Sequence, residues 1–207
     1  MTATLSPTVH LIDDDEAVRD GLALLIGTVG LRVDTWADPL HFLQTFDREG
    51  IGAIVLDVRM PGISGLSVLD TLVAQGVDQP VIMLTGHGTV DMCRRAFKAG
   101  AAEFLEKPVN DELLIEALQN AVRQHVRSRE HHQADREARE RYAQLSERER
   151  EVLNWVAAGR RQADIAATLG LSERTIENHL RRIRRKLRAR TTAEAVQIAV
   201  RIGAIAS

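Results

Sequence analysis

Over residues 1–125, short runs of β-branched and aliphatic residues alternate with segments of helical periodicity. That alternation points to a parallel sheet wrapped by helices, because each strand and each helical stripe then buries its apolar side against the next element. The expected strands are Thr8–Ile12, Leu31–Trp36, Ala53–Leu56, Val81–Leu84 and Glu103–Leu105. The third and fourth are near-continuous apolar runs, as required of strands covered on both faces. Helices are expected near Glu16–Val29, Asp38–Glu49, Ser64–Gln75, Thr89–Ala99 and from Asp111 onward, with Gly30, Gly50, Gly76 and Gly100 at or just past the first four ends. The fold class expected is α/β, a doubly wound five-stranded parallel sheet.

Beyond Arg123 the pattern changes. Residues 126–144 are rich in Arg, Glu, His and Gln and contain no Gly or Pro, and the apolar stripe Leu114, Leu118, Ala121, Val122 fades after Val126. This segment reads as a solvated helical linker that extends the fifth helix for some turns, with too weak a period for a coiled coil of its own. Residues 145–207 read as a second, all-α domain of four helices. Ser146 and Glu149 form a capping box that opens a helix reaching Ala158. A short helix Gln162–Leu169 stops at Gly170, Ser172 caps a long basic helix Glu173–Leu187, and a last helix covers Thr192–Ile202.

The formal net charge of −2 conceals a division along the chain. Residues 1–125 hold 9 Lys+Arg against 18 Asp+Glu, whereas residues 146–207 hold 13 against 7. A basic end on an acidic body implies a polyanion-binding module tethered to a domain that does not bind nucleic acid. The single cysteine, Cys93, excludes an internal disulfide framework and a cysteine-ligated metal; in the helical stretch Asp91–Ala99 it reads as a packing thiol. No apolar run approaches the roughly 20 residues needed to span a bilayer, and residues 1–7 lack a basic region followed by an apolar one. A cytoplasmic protein without membrane contact is expected.

Open parallel sheets bind ligands beyond the carboxyl ends of their strands, and the unusual residues accumulate there. Strand one ends in Asp13-Asp14-Asp15, strand three in Asp57, strand four in Thr85, and strand five leads to Lys107-Pro108. Crowded carboxylates repel one another and recruit a hard dication such as Mg²⁺. Asp57 is then placed to act as a nucleophile on a phosphoryl group, with a lysine and a threonine hydroxyl on its oxygens. An acidic run alone also reads as a helix cap, and a lone strand-end Thr or Lys is commonplace; their placement on successive strand ends carries the reading.

Asp13-Asp14, Asp57 with Met60-Pro61-Gly62, Thr85-Gly86 and Lys107-Pro108 together resemble a response-regulator receiver domain, which has a flavodoxin-like fold. The resemblance implies that Asp57 is the phosphoacceptor and that Asp14 and Asp57 ligate Mg²⁺ (or Mn²⁺) with the Arg59 carbonyl, Asp13 helping through water. It implies that Thr85 and Lys107 contact the phosphoryl group. Thr85 and Phe104 are the implied switch residues, Phe104 lacking the hydroxyl of the family's usual tyrosine, and the peptide before Pro108 is expected to be cis. Asp15 reads as the cap of the following helix, and His87 and Arg59 as side chains overhanging the site. An Asp-nucleophile phosphatase or dehalogenase would resemble Asp-x-Asp, whereas Asp57 is followed by Val58 and Arg59. No enzyme is expected beyond the domain's own phosphoryl transfer and autodephosphorylation.

In Glu173–Leu187, Ile176, Leu180, Ile183 and Leu187 share one helical face and Arg174, Asn178, Arg181 and Arg185 another. The first packs on Val152, Leu153, Val156, Ile165 and Leu169, leaving the second for a phosphate-lined groove. The segment from Leu145 to Leu187, with Ile165-Ala166, Leu169-Gly170-Leu171-Ser172, Thr175-Ile176 and Lys186-Leu187, resembles the LuxR-type DNA-binding domain. Joined to the receiver, and with Thr85-Gly86-His87-Gly88, it is similar to the FixJ subfamily of response regulators. The resemblance implies that Glu177, Asn178 and Arg181 approach bases, that Thr175, Arg182 and Arg185 serve the backbone, and that Ala195, Val196, Ala199 and Ile202 form a dimer contact, although these four read equally as core. Ala163 and Glu177 stand where many relatives have Lys, so the operator is this chain's own. The implied function is a DNA-binding transcriptional response regulator, switched by phosphorylation of Asp57 by a sensor histidine kinase. The resemblance also implies a double-stranded DNA operator as partner and a homodimer when phosphorylated or DNA-bound. The alternative is an orphan regulator with constitutive DNA binding, whose first domain serves only protein interaction.

Overall fold

The computed structural model describes residues 7–205, which divide into two compact units with the boundary between Ser128 and Arg129. In the first, strands β1 (Thr8–Ile12), β2 (Arg32–Trp36), β3 (Gly52–Asp57), β4 (Val81–Thr85) and β5 (Glu103–Glu106) form one parallel sheet in the order β2-β1-β3-β4-β5. Helices α1 (Glu16–Gly27), α2 (Pro39–Thr45), α3 (Gly65–Ala74), α4 (Val90–Lys98) and the start of α5 (Asp111–Ala143) connect and cover the strands. Alternate residues of each strand enter two separate cores. Ile12, Ile54, Leu56 and Met83 meet Phe42, Leu69 and Leu72 on one face, while Leu11, Val55, Ile82 and Leu84 meet Ile26, Leu114 and Leu118 on the other. Burial on both faces is why the β3 and β4 sequences carry no alternation. The strand order reverses between β1 and β3, the topological switch point at which such sheets open a crevice.

Two expectations need correction. The second helix ends at Thr45, four residues short of Glu49, because Phe46 turns extended and drops into the core. The Asp47 carboxylate then accepts the Glu49 amide at 3.0 Å, closing an Asx turn that competes with helix. The second correction concerns the linker. Helix α5 runs unbroken to Ala143, and its distal part is not simply solvated: Ala138 is buried and Tyr142 packs into the core of the second unit. Ala134, Ala138 and Tyr142 follow one another at i, i+4 and i+8, a stripe too small in its first two members to register as apolar periodicity. The helix is further held by the i,i+4 pairs Arg136–Glu140 at 3.5 Å, which is exposed, and Arg141–Glu137 at 3.7 Å, in which Arg141 is half-buried.

The second unit adds α6 (Glu147–Ala157), α7 (Gln162–Leu169), α8 (Glu173–Leu187) and α9 (Thr192–Arg201). The capping box is present in both directions: the Glu149 amide donates to Ser146 Oγ at 3.2 Å, and the Ser146 amide to Glu149 Oε2 at 2.8 Å. Lys186 Nζ also reaches Glu149 Oε2 at 2.6 Å, tying α8 to the start of α6. Burial by itself would raise the Glu149 pKa, but the hydrogen bonds from Lys186 and Ser146 outweigh it and hold the carboxyl below its ordinary range. Between α7 and α8 the chain reverses through Gly170 at φ 63°, a left-handed conformation that costs glycine nothing. Ile176, Leu180, Ile183 and Leu187 are all buried, as their spacing requires. Ala195, Ala199 and Ile202 of the last helical segment are buried too. They are core in this unit and not a free contact surface, because small alanines let α9 pack closely on α8; Val196 is half-buried.

One buried group makes the first unit's stability depend on pH. His10 on β1 is enclosed by Trp36, Phe42 and Phe46, with ring centroids 5.8 to 6.1 Å away. Burial lowers its pKa below 6.5, outweighing the opposing charges of Asp34 and Asp47, and Arg32 lowers it further. The unfolded chain therefore binds a proton that the folded one refuses. Stability should be full above the unfolded pKa and fall as pH drops below it, with a slope of at most about 1.4 kcal/mol per pH unit from this group. Urea titrations followed by Trp36 fluorescence between pH 7.5 and 5 should show this decline in the wild type and a flatter profile in His10→Phe.

Candidate functional site

The carboxyl ends of β1, β3 and β5 converge on one pocket. Asp57 is the last residue of β3, paired with Leu84 of β4, and the next amide, Val58, donates to the Leu84 carbonyl at 2.8 Å. This ladder extends one residue beyond the apolar run and fixes the direction of the Asp57 side chain. Asp13 follows β1, and its amide donates to the Trp36 carbonyl at 3.2 Å. Lys107 follows β5, held by its amide to the Thr85 carbonyl at 2.7 Å, and its peptide to Pro108 is cis. Lys107 Nζ lies 2.5 Å from Asp13 Oδ2 and 2.6 Å from Asp57 Oδ1, bridging the two acids. Asp13 and Asp57 are 1% and 4% exposed.

Burial raises the Asp57 pKa above its ordinary value, and the neighbouring Asp13 charge adds to this. The Lys107 contact and the Arg59 amide, which donates to Asp57 Oδ2 at 2.6 Å, pull it back without cancelling the rise. For Lys107, burial opposes the charge, but the hydrogen bonds to Asp13 and Asp57 prevail and hold it above the ordinary lysine value. The pocket is thus two buried carboxylates neutralised in part by one ammonium group. That excess of negative charge, on oxygen donors alone, suits a hard dication. Among the described residues no three acidic, histidine or cysteine side chains already stand together as a metal cage.

Asp14 is exposed, beside the pocket in sequence but outside the Lys107 bridge. Asp15 caps α1, its Oδ1 accepting the Ala17 amide at 2.9 Å. The Arg59 and His87 side chains are exposed, while Thr85 is fully buried and its Oγ1 accepts the His87 amide at 3.3 Å. The half-buried Phe104 shares a boundary with Thr85 at Gly88: a Cβ there would lie 3.2 Å from Thr85 Cγ2 and 3.3 Å from Phe104 Cε1.

Gly65, which the sequence reading did not single out, underpins the carboxyl end of β3. It begins α3 beneath Asp57, and a Cβ added there would stand 2.0 Å from the Asp57 carbonyl oxygen. The available signal was a glycine at the start of a helix, just after the Ser64 cap, where a side chain is normally tolerated. Gly65→Ala must move backbone, so a loss of about 1–3 kcal/mol is expected, together with slowed phosphoryl uptake. Chemical denaturation and intact-mass kinetics would measure the two effects.

In the second unit, Arg174, Glu177, Asn178, Arg181, Arg182 and Arg185 are all exposed along α8. Asn178, Arg181, Arg182 and Arg185 border a shallow depression of about 260 Å³. Thr175 is half-buried, and its hydroxyl lies 2.8 Å from the hydroxyl of the cap residue Ser172, so it shares in the cap. The short α7, the glycine turn and the basic α8 make a helix-turn-helix.

Comparison with known proteins places both units. Residues 9–119 match the response regulator receiver domain, and residues 143–199 match the bacterial regulatory proteins of the luxR family. The chain is 41% identical over 195 residues to the transcriptional regulatory protein FixJ of Azorhizobium caulinodans, covering 94% of this chain and 92% of that protein. It is 34% identical to the response regulator protein TodT of Pseudomonas putida F1, over 94% and 86% of the two chains. Among solved structures, the response regulator StyR superposes with a TM-score of 0.84 at 34% identity, covering 95% of this chain and 99% of that one. Full-length FixJ from B. japonicum gives 0.59 at 35% identity, covering 97% and 99%. FixJ is a transcriptional regulatory protein and TodT and StyR are response regulators, and no described helix of this chain is long and apolar enough to cross a membrane. The chain belongs to the response regulators that join a receiver domain to a LuxR-type DNA-binding domain, and it is a phosphorylation-regulated transcription factor.

Proposed function

We propose that Asp57 is the phosphoacceptor and that a sensor histidine kinase is the donor. The Asp57 carboxylate oxygen forms the bond to phosphorus as the phosphoryl group leaves the kinase's phosphohistidine. The observation that supports this most is the Lys107 bridge, with Nζ 2.6 Å from Asp57 and 2.5 Å from Asp13 inside a buried pocket. Lys107 neutralises charge on the incoming phosphoryl oxygens, and the Thr85 hydroxyl donates to one of them, giving up its contact with the His87 amide. Asp13, Asp14, Asp57 and the Arg59 carbonyl are the groups that would hold Mg²⁺ (or Mn²⁺). That ion would supply a second positive charge against the phosphoryl oxygens. Water later hydrolyses the acyl phosphate, and the exposed Arg59 and His87 side chains limit its approach.

Thr85 and Phe104 act as the switch: both border Gly88, and a hydroxyl drawn toward the phosphoryl group would leave space for the ring. The regulator works in the cytoplasm, with a receiver over residues 1–125, a helical linker over 126–144 and the DNA-binding domain over 145–207. In the last, Glu177, Asn178 and Arg181 address base edges of a double-stranded operator, while Arg174, Thr175, Arg182 and Arg185 address its backbone. Phosphorylation favours a homodimer that sets two α8 helices in successive major grooves. A gel shift on selected operator DNA, with and without acetyl phosphate and Mg²⁺, tests the coupling. Tighter binding and dimer formation are expected in the phosphorylated sample, and equal binding would disprove the switch.

A further inference from the structure

Every polar atom of Asp13 is engaged. Its amide donates to the Trp36 carbonyl at 3.2 Å, Oδ1 accepts the Asp15 amide at 3.0 Å, and Oδ2 accepts Lys107 Nζ at 2.5 Å. The remaining atom, the backbone carbonyl, accepts Arg19 Nη1 at 2.7 Å. Arg19 belongs to α1, and its own amide donates to the Asp15 carbonyl at 3.0 Å. One residue therefore grips both ends of the Asp13-Asp14-Asp15 turn, by its side chain at the first acid and its backbone at the third. Asp13 is 1% exposed, so losing the guanidinium strands a buried carbonyl with no ready solvent. The turn would relieve that by rotating, and rotation would carry the Asp13 carboxylate away from Lys107 and Asp57.

We infer that Arg19 is a positioning residue of the phosphoacceptor pocket, which fixes the acidic turn so that its carboxylates face Asp57 and a bound dication. This rests on the proposed phosphoacceptor site. Charge and position make opposite demands here, which makes the role testable. As a mere nearby cation, Arg19 would repel Mg²⁺, and its removal would tighten metal binding. As the clamp on the turn, its removal loosens binding although a repelling charge has gone.

The test is calorimetric titration of the full chain with Mg²⁺ alone, for wild type, Arg19→Met and Arg19→Lys. It is paired with amide hydrogen exchange at Asp15 in the metal-free protein. Positioning predicts Mg²⁺ affinity about tenfold weaker in Arg19→Met, of the order seen when outer-shell partners are removed, and partial recovery in Arg19→Lys. It also predicts faster exchange at the Asp15 amide, in a first unit that still unfolds cooperatively. Unchanged or tighter Mg²⁺ binding in Arg19→Met, or unchanged Asp15 exchange, would overturn it. If the wild type takes up neither Mg²⁺ nor a phosphoryl group from acetyl phosphate, the site assignment itself fails; the exchange arm still reads whether Arg19 holds the turn.

Discussion

Asp57→Asn should take up no phosphoryl group from acetyl phosphate and Mg²⁺, while the wild type gains one, as read by intact mass. An amide oxygen is a far weaker nucleophile than a carboxylate, and no other acid stands at that point of β3 with a lysine 2.6 Å away. The variant should still fold. Burial and the Asp13 charge already disfavour the ionised Asp57, so a neutral isostere removes a repulsion while its oxygen keeps the Arg59 amide. Lys107 retains Asp13 as its partner. The thermal midpoint should therefore be equal to or above that of the wild type. A variant that is phosphorylated once would place the acceptor elsewhere, and one that unfolds would make the pocket structural.

Arg181→Ala should weaken operator binding by about 1–3 kcal/mol, roughly 5- to 150-fold in Kd, and relax sequence preference at the base it reads. Arg181 is exposed in the centre of the α8 depression, one turn from Asn178 and Arg185. The apolar side of the same helix is buried elsewhere, so truncation costs the fold little. Arg185→Ala offers a contrast. A phosphate contact should cost affinity on all sequences alike and lower the salt dependence of binding by about one released ion. Fluorescence anisotropy at several salt concentrations separates the two, and phosphoryl uptake by the first unit should be unaffected by either substitution. Equal specificity in wild type and Arg181→Ala would remove that residue from base reading.

The elements most clearly written in the chain are those whose signal is local. β3 and β4 are near-unbroken apolar runs because both faces are covered, Asp15 and the Ser146–Glu149 box cap helices through atoms two or three residues away, and α8 separates its apolar and basic sides at helical spacing. The local sequence favours helix through Glu49, four residues beyond the observed end; the pull of the core on Phe46 and the Asx turn at Asp47 decide otherwise. Distal α5 has the sequence of a solvated connector because alanines at 134 and 138 carry little apolar signal, yet Ala138 is 1% exposed.

What the sequence by itself determined is which residue types end each strand, and hence the chemistry of the pocket: acids, a hydroxyl and an ammonium group where a parallel sheet opens. What only the tertiary structure decided is their mutual engagement. Lys107 and Asp13 are separated by 94 positions, and nothing local states that one ammonium group bridges two carboxylates, that Asp14 faces solvent beside them, or that Gly65 must lack a Cβ to pass the Asp57 carbonyl. The physical reason is that these contacts depend on strand order and register, set by burying two cores at once, and that long-range packing leaves no mark on the local pattern of any single segment.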